Sequence, residues 1–174
     1  MTRKYAIVAI FFLLSACQKP PAPPESASQD ERPIRVSVCE LSKNPETYDH
    51  QLVAVEGELS QGNEEFSLYA KDGSPCGAIW LDIGGKSVSG TVYCCGGNQG
   101  YSRPLNLTID GIEIPLSDDD RTKNAIQQIQ RRSQANYSSS DIDLIGRFFA
   151  GGHYGHFGAS KTLLVIQRVL SLKP

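Results

Sequence analysis

Residues 51–59 read QLVAVEGEL, and the alternation in this stretch leaves few folds open. Val53, Val55, Gly57 and Leu59 fall on one side, and Ala54, Glu56 and Glu58 on the other. Successive strand side chains point to opposite faces, so the pattern predicts a half-buried strand. It recurs in FSLYA, where Phe66, Leu68 and Ala70 oppose Ser67 and Tyr69, and in AIWLDI, where Ile79, Leu81 and Ile83 point inward. Asp72-Gly73 and Pro75 mark the turn between these two runs. Together the three runs predict an antiparallel meander. LNLTIDGIEIPL, residues 105–116, is two alternating runs around Asp110-Gly111, a type I′ hairpin signal. VSGTVYC, residues 88–94, is read as a further strand. IDLIGRFFA and KTLLVIQRVL close the chain; the last is apolar on both faces, which predicts a central strand.

Two helices interrupt this β pattern. Ser37 and Glu40 form a capping box that opens a short helix, and Asn44-Pro45 stops it. Ser117-Asp118-Asp119-Asp120 caps a second helix reaching residue 133 or 134. Its acidic first turn and its closing Arg131-Arg132 complement the helix dipole. Ile126 and Ile129 give it a thin apolar stripe. The expected fold is mainly β with short helices.

The N-terminus sets the compartment. Arg3 and Lys4 precede a short apolar run, Ala6 to Leu14, with the length of a secretory h-region and too short to anchor across a bilayer. It ends in Leu14-Ser15-Ala16-Cys17, which resembles the lipobox of bacterial lipoproteins. That resemblance implies that residues 1–17 are a signal peptide and that Cys17 is lipidated. It also implies a bacterial cell-envelope location, with Gln18 after the cysteine favouring the outer membrane, facing the periplasm. Residues 18–33, QKPPAPPESASQDERP, contain no large apolar side chain. Such a segment cannot bury enough surface to fold, and its prolines make it an extended tether. The remaining residues, 34–174, have the size of one domain. The whole chain carries a formal charge of −2; removing Arg3 and Lys4 leaves 15 basic against 19 acidic residues, or −4. An acidic, exported domain argues against nucleic-acid binding, which needs a basic face.

With Cys17 assigned to lipid, Cys39, Cys76, Cys94 and Cys95 remain. Four cysteines in an exported domain read first as disulfides, with three possible pairings. A Cys94–Cys95 bond is strained, because consecutive Cα atoms lie about 3.8 Å apart, below the usual disulfide range. On a strand the two side chains point apart, so the expected pairing sends one to Cys39 and the other to Cys76. A zinc site fits poorly, since neither pair has the spacing of a structural zinc clip. No C-x-x-C redox motif is present.

Strand, strand, strand, helix, strand, strand is the order of a five-stranded OB-like barrel, here with an insertion at residues 84–140 that contributes a β-hairpin and the second helix. The segments VSVCELSKNPETYDHQLVAVEGEL, IWLDI, IGRF and GHFGA carry a further resemblance, to uncharacterised bacterial lipoproteins and secreted proteins with an OB-like domain. The resemblance covers about half of the chain. It implies a fold and an export route and no catalytic residues.

Two regions are candidate sites. GGHYGHFG, residues 151–158, places His153, Tyr154 and His156 among four glycines. Glycines allow close backbone approach, which suits a binding loop, and imidazoles can ligate metal or move protons. The competing reading is a tight turn with His156 bonded to backbone. Trp80 points away from the predicted core and with Tyr69 would form an aromatic platform, unless the inserted hairpin or helix covers it. Other motifs fail. Gly84-Gly85-Lys86-Ser87 lacks the first glycine of a P-loop, whose position holds Trp80. Asp118 to Asp120 lack calcium-loop spacing. There is no G-x-S-x-G elbow. No cofactor, metal site or catalytic residue is expected. The reading is a non-enzymatic binding or scaffolding module for a protein, peptide or glycan, held to the membrane through Cys17. The alternative is an exported hydrolase using His153 or His156, or a metal or redox protein using Cys94 and Cys95.

Overall fold

A computed structural model of the chain describes residues 31–62, 64–86, 105–132 and 137–173. The fold is mainly β with two helices: β1 (Ile34–Arg35), α1 (Val38–Lys43), β2 (Leu52–Gln61), β3 (Phe66–Tyr69), β4 (Ile79–Ile83), β5 (Leu107–Ile109), β6 (Ile112–Ile114), α2 (Asp120–Arg132), β7 (Ser138–Tyr154) and β8 (Ser160–Lys173). Six strands form one mixed sheet in the order β1-β2-β3-β4-β8-β7, and β7 pairs back onto β2. The sheet therefore contains a ring of five strands. All neighbours in the ring are antiparallel except β4 and β8, which run parallel from Trp80↔Leu163 to Ile83↔Ile166. The predicted meander is β2-β3-β4, and the predicted central strand is β8, between β4 and β7.

Burial follows the alternation. Val53, Val55, Leu59, Phe66, Leu68, Ile79, Leu81, Ile83, Ile142, Leu144, Phe148, Leu164 and Ile166 form the main core, with Val38 and Leu41 of α1 and Ala125, Ile126 and Ile129 of α2. Complete burial of a side chain such as Phe148 contributes about 1.5–3 kcal/mol relative to exposure. A second core lies on the opposite face of β7 and β8. Phe149, Leu163 and Val165 pack there against Ile114, with Leu107, Ile109, Ile112, Trp80 and Tyr154 at its margin. Two cores explain why the last strand is apolar on both sides.

Local signals are realised closely. Ser37 Oγ accepts from the Glu40 N–H at the start of α1. The β5–β6 turn places Asp110 at φ 50° and Gly111 at φ 79°, the left-handed pair that a type I′ turn requires. Within the predicted capping stretch the cap of α2 is Asp119: its carboxylate accepts from the backbone N–H and the hydroxyl of Thr122, and from the Ser117 hydroxyl. These bonds, that with Ser117 first, hold the Asp119 carboxyl well below the usual carboxylate range. The Thr122 hydroxyl in turn accepts from the Val169 N–H, seating α2 on β8.

Two expectations are corrected. The cysteine pairing is Cys39–Cys76, with Cα atoms 5.0 Å apart. The cross-pairings to Cys94 and Cys95 are therefore wrong: α1 packs its core side chains beneath the meander and brings Cys39 to the segment before β4. Cys94, Cys95 and the strand expected over residues 88–94 lie outside the described residues. The glycine-rich loop is also shorter than expected. β7 runs through Gly151 and Gly152 to Tyr154, absorbing the extra residues in a register shift between Ala150 and Tyr154. Only a short 3₁₀ turn, His156–Gly158, separates β7 from β8.

Candidate functional site

The outer face of β3 and β4 and the tip of the β7–β8 hairpin meet at Trp80. Trp80 lies opposite Ser67 on β3 and is half-buried. The hairpin β5–β6 packs beside it in the second core. The hairpin and the indole share that core, and Trp80 keeps part of its surface accessible. The backbone of Gly155 presses on the indole: a Cβ there would lie 2.5 Å from Trp80 Cδ2.

The tip itself is exposed. Phe157 adopts φ 53° and is 88% accessible, an uncommon backbone for a bulky side chain. The His156 ring meets it edge-on with centroids 4.0 Å apart. His156 Nε2 lies 3.9 Å from Glu64 Oε2, so the β7–β8 turn faces the β2–β3 loop. A carboxylate stands beside this histidine because the ring brings the two distant loops together. It is His153, not His156, that approaches backbone: its Nδ1 lies 3.4 Å from the Gly158 carbonyl and 3.3 Å from Lys161 Nζ. Tyr154 belongs to the second core, where burial, then the nearby Asp110 and Asp49, push its phenol up.

Tyr69 occupies the other edge of this face and is 39% accessible. Its hydroxyl donates to Glu65 Oε1 at 2.7 Å. That bond, then burial, pushes its phenol up to about 12. Tyr137, also exposed, adds to the shift and bonds Ser60 through its hydroxyl. The neutral phenol makes the Tyr69 bond, so the stabilisation is complete below the unfolded value near 10 and is lost as pH rises through about 12. In alkaline titration followed by tyrosinate absorbance, Tyr69→Phe should remove a phenol titrating near pH 12. Glu65→Gln should return it toward about 10. A wild-type profile unchanged by both substitutions would refute the assignment.

A second cluster carried no recognisable motif. His50, at φ 61°, places Nε2 3.2 Å from Asp110 Oδ2 and 3.8 Å from Asp49 Oδ1, with its ring edge-on to Phe149. Its N–H donates to the Phe148 carbonyl, and its own carbonyl accepts from Arg147 Nη1. His50 thus clasps the β5–β6 hairpin to the sheet. Both ion-pair partners are about half exposed, so the pair adds little stability. Asp110 reads as a turn former and His50 as a linker residue; only the closed sheet joins them. Among the described residues, no group of three or more His, Cys, Asp or Glu converges to hold a metal ion.

Comparison with known proteins finds no match. No family model, no curated protein and no solved structure matches this chain. The site therefore has to be read from its own chemistry. Trp80, Gly155, His156 and Phe157 come together. Tyr69 stands with Glu65 and Tyr137, Tyr154 packs under the hairpin, and His153 pairs within its own turn.

Proposed function

We propose that the ring of five strands is an OB-like barrel, and that the protein is a lipid-anchored, envelope-facing binding module without enzymatic activity. Numbering the ring strands in chain order gives 1-2-3-5-4-1, with the one parallel pair between the third and the fifth. Barrels of this kind bind extended ligands on the face of strands two and three, between the loops joining strands 1–2 and 4–5. One observation carries the reading: those two loops approach each other at Glu64 and His156, and between them the face presents Tyr69, Trp80 and the exposed Phe157. Aromatic faces flanked by loops suit the flat sides of sugar rings or the side chains of an extended peptide. Glu58, Glu64 and Glu65 lie along the β2–β3 end of the face and disfavour a phosphate backbone. Cys17 anchors the module to the outer membrane, facing the periplasm, at the end of the proline-rich tether.

The alternative, an exported hydrolase, rests on His156 beside Glu64. Their 3.9 Å separation is too long for the hydrogen bond that aligns a general base.

Trp80 is the single tryptophan of the chain, so its fluorescence reports on this face alone. Soluble peptidoglycan fragments and extended peptides should be titrated separately against the protein. One class should shift Trp80 emission, and Tyr69→Ala with Phe157→Ala should abolish the shift. Cys17→Ser should release the protein from the membrane fraction and block fatty-acid labelling. Unchanged emission with both classes would refute the binding face, and an unaltered membrane fraction would refute the anchor.

A further inference from the structure

Arg147 is a charged side chain in the middle of the sheet. It lies on β7, opposite Leu52 of β2 and Val165 of β8, and its side chain is only 7% accessible. A buried guanidinium is tolerated only when its N–H groups are matched. Nη1 donates to the His50 carbonyl at 2.8 Å. Nη2 donates to Glu31 Oε2 at 2.7 Å. Nε is buried and has no hydrogen-bond partner among the described residues. Nearby on β8, Gln167 Oε1 is also buried without a partner among the described residues.

Both side chains line one half-open cleft of about 450 Å³, walled by Leu52, Ile145 and Leu116 and bordered by Glu31. That volume lies in the range of small-ligand sites. Nε and Nη2 form the lateral fork of a guanidinium, which a carboxylate engages with both oxygens at once. Glu31 engages one prong and leaves the other empty. It also comes from the segment before β1, on a side chain one-third accessible. Glu31 thus fits its place as a removable substitute rather than as a matched partner. The two unmatched atoms specify what fits better: Nε calls for a second carboxylate oxygen, and Gln167 Oε1 calls for an adjacent N–H donor.

We propose that this cleft binds the C-terminal carboxylate of a peptide chain, and that Glu31 occupies the site in its absence. The carboxylate takes Nε and Nη2 together, the terminal amide N–H donates to Gln167 Oε1, and the terminal side chain rests on Leu52 and Ile145. Ligand entry displaces Glu31, so occupancy is coupled to the position of the segment entering β1. The inference rests on the reading of the protein as a binding module, and it uses a different surface from the Trp80 face.

The test titrates the full-length protein with N-acetyl-Ala-Ala and, in parallel, with its C-terminal amide. The Arg147 Nε–H resonance reports on the cleft and Trp80 emission on the other face. The acid should shift the Nε–H resonance while leaving Trp80 unchanged, and the amide should shift neither. Glu31→Ala removes the internal competitor and should tighten binding of the acid on the order of tenfold. Arg147→Lys, which keeps the charge and loses the fork, should abolish the acid-over-amide preference. Equal effects of acid and amide overturn the proposal, as does an affinity unchanged by Glu31→Ala. Acetate binding as tightly as the dipeptide overturns the role of Gln167. A shift of Trp80 alone overturns the cleft and leaves the aromatic face standing. Glu31→Ala keeps the test decisive should Arg147→Lys fail to fold.

Discussion

Replacing Cys39 and Cys76 together with serine should lower the unfolding free energy by about 3–4 kcal/mol. The bond closes a chain segment of 37 residues. Loop closure of that length restricts the unfolded chain by about 13 cal/mol/K in the chain-entropy description. The folded state also depends on what the bond holds. α1 is only six residues long, too short to persist alone, yet its Val38 and Leu41 are 2% and 0% accessible in the main core. Serines at both positions leave α1 held by its packing and by the Ser37 cap. The thermal midpoint should fall by roughly 10–15 °C for a domain of this size. Thermal unfolding followed by circular dichroism checks this. A loss below about 1 kcal/mol would mean that packing alone fixes α1.

Gly155→Ala should have an effect of similar size and should act on the candidate binding face. Gly155 has φ 74° and ψ −164°, a region that residues with a Cβ scarcely adopt. The backbone alone costs about 1–3 kcal/mol there. The new Cβ would also meet the indole at 2.5–2.9 Å, against Cδ2, Cε3 and Cε2 of Trp80. Overpacking of that kind costs about 1–3 kcal/mol more. The tip must lift, so Trp80 emission should move to longer wavelength and the indole should become accessible to aqueous quenchers. Gly151→Ala provides the comparison. Its φ is also 74°, but nothing stands within 4 Å of the added Cβ. It should weaken the fold through the backbone and leave the Trp80 spectrum in place. A blue Trp80 spectrum in Gly155→Ala would show that the hairpin tip does not cover the indole.

Ile79, Leu81 and Ile83 announce their burial by spacing, and the structure buries all three completely. Ser37 and Glu40 announce a helix start, and Asp110-Gly111 a hairpin turn. Each signal spans a handful of residues, because side-chain alternation and capping bonds depend on near neighbours. Ser117 and Asp119 both have capping side chains, and only the hydrogen bonds to Thr122 identify Asp119 as the cap.

The candidate sites were legible in residue type and not in grouping. The sequence pointed to two regions, the loop with His153, Tyr154 and His156 and the platform of Trp80 with Tyr69. Closure of the sheet divides them, sending Tyr154 under the inserted hairpin, holding Tyr69 against Glu65 and leaving His156 beside Glu64. The same closure makes pairs with no signature at all: Cys39 with Cys76, His50 with Asp110, and Arg147 with Glu31, 116 residues apart. By itself, then, the sequence determined the meander, the β5–β6 hairpin, the last two strands and the helix starts, since these follow from repulsion and bonding within a few residues; the two-residue β1 carried no such signal. Tertiary structure alone decided the parallel pairing of β4 with β8, the return of β7 onto β2 and every contact across them. Those pairings are selected by how all the apolar faces can be buried at once, and that is a property of the whole chain rather than of any segment.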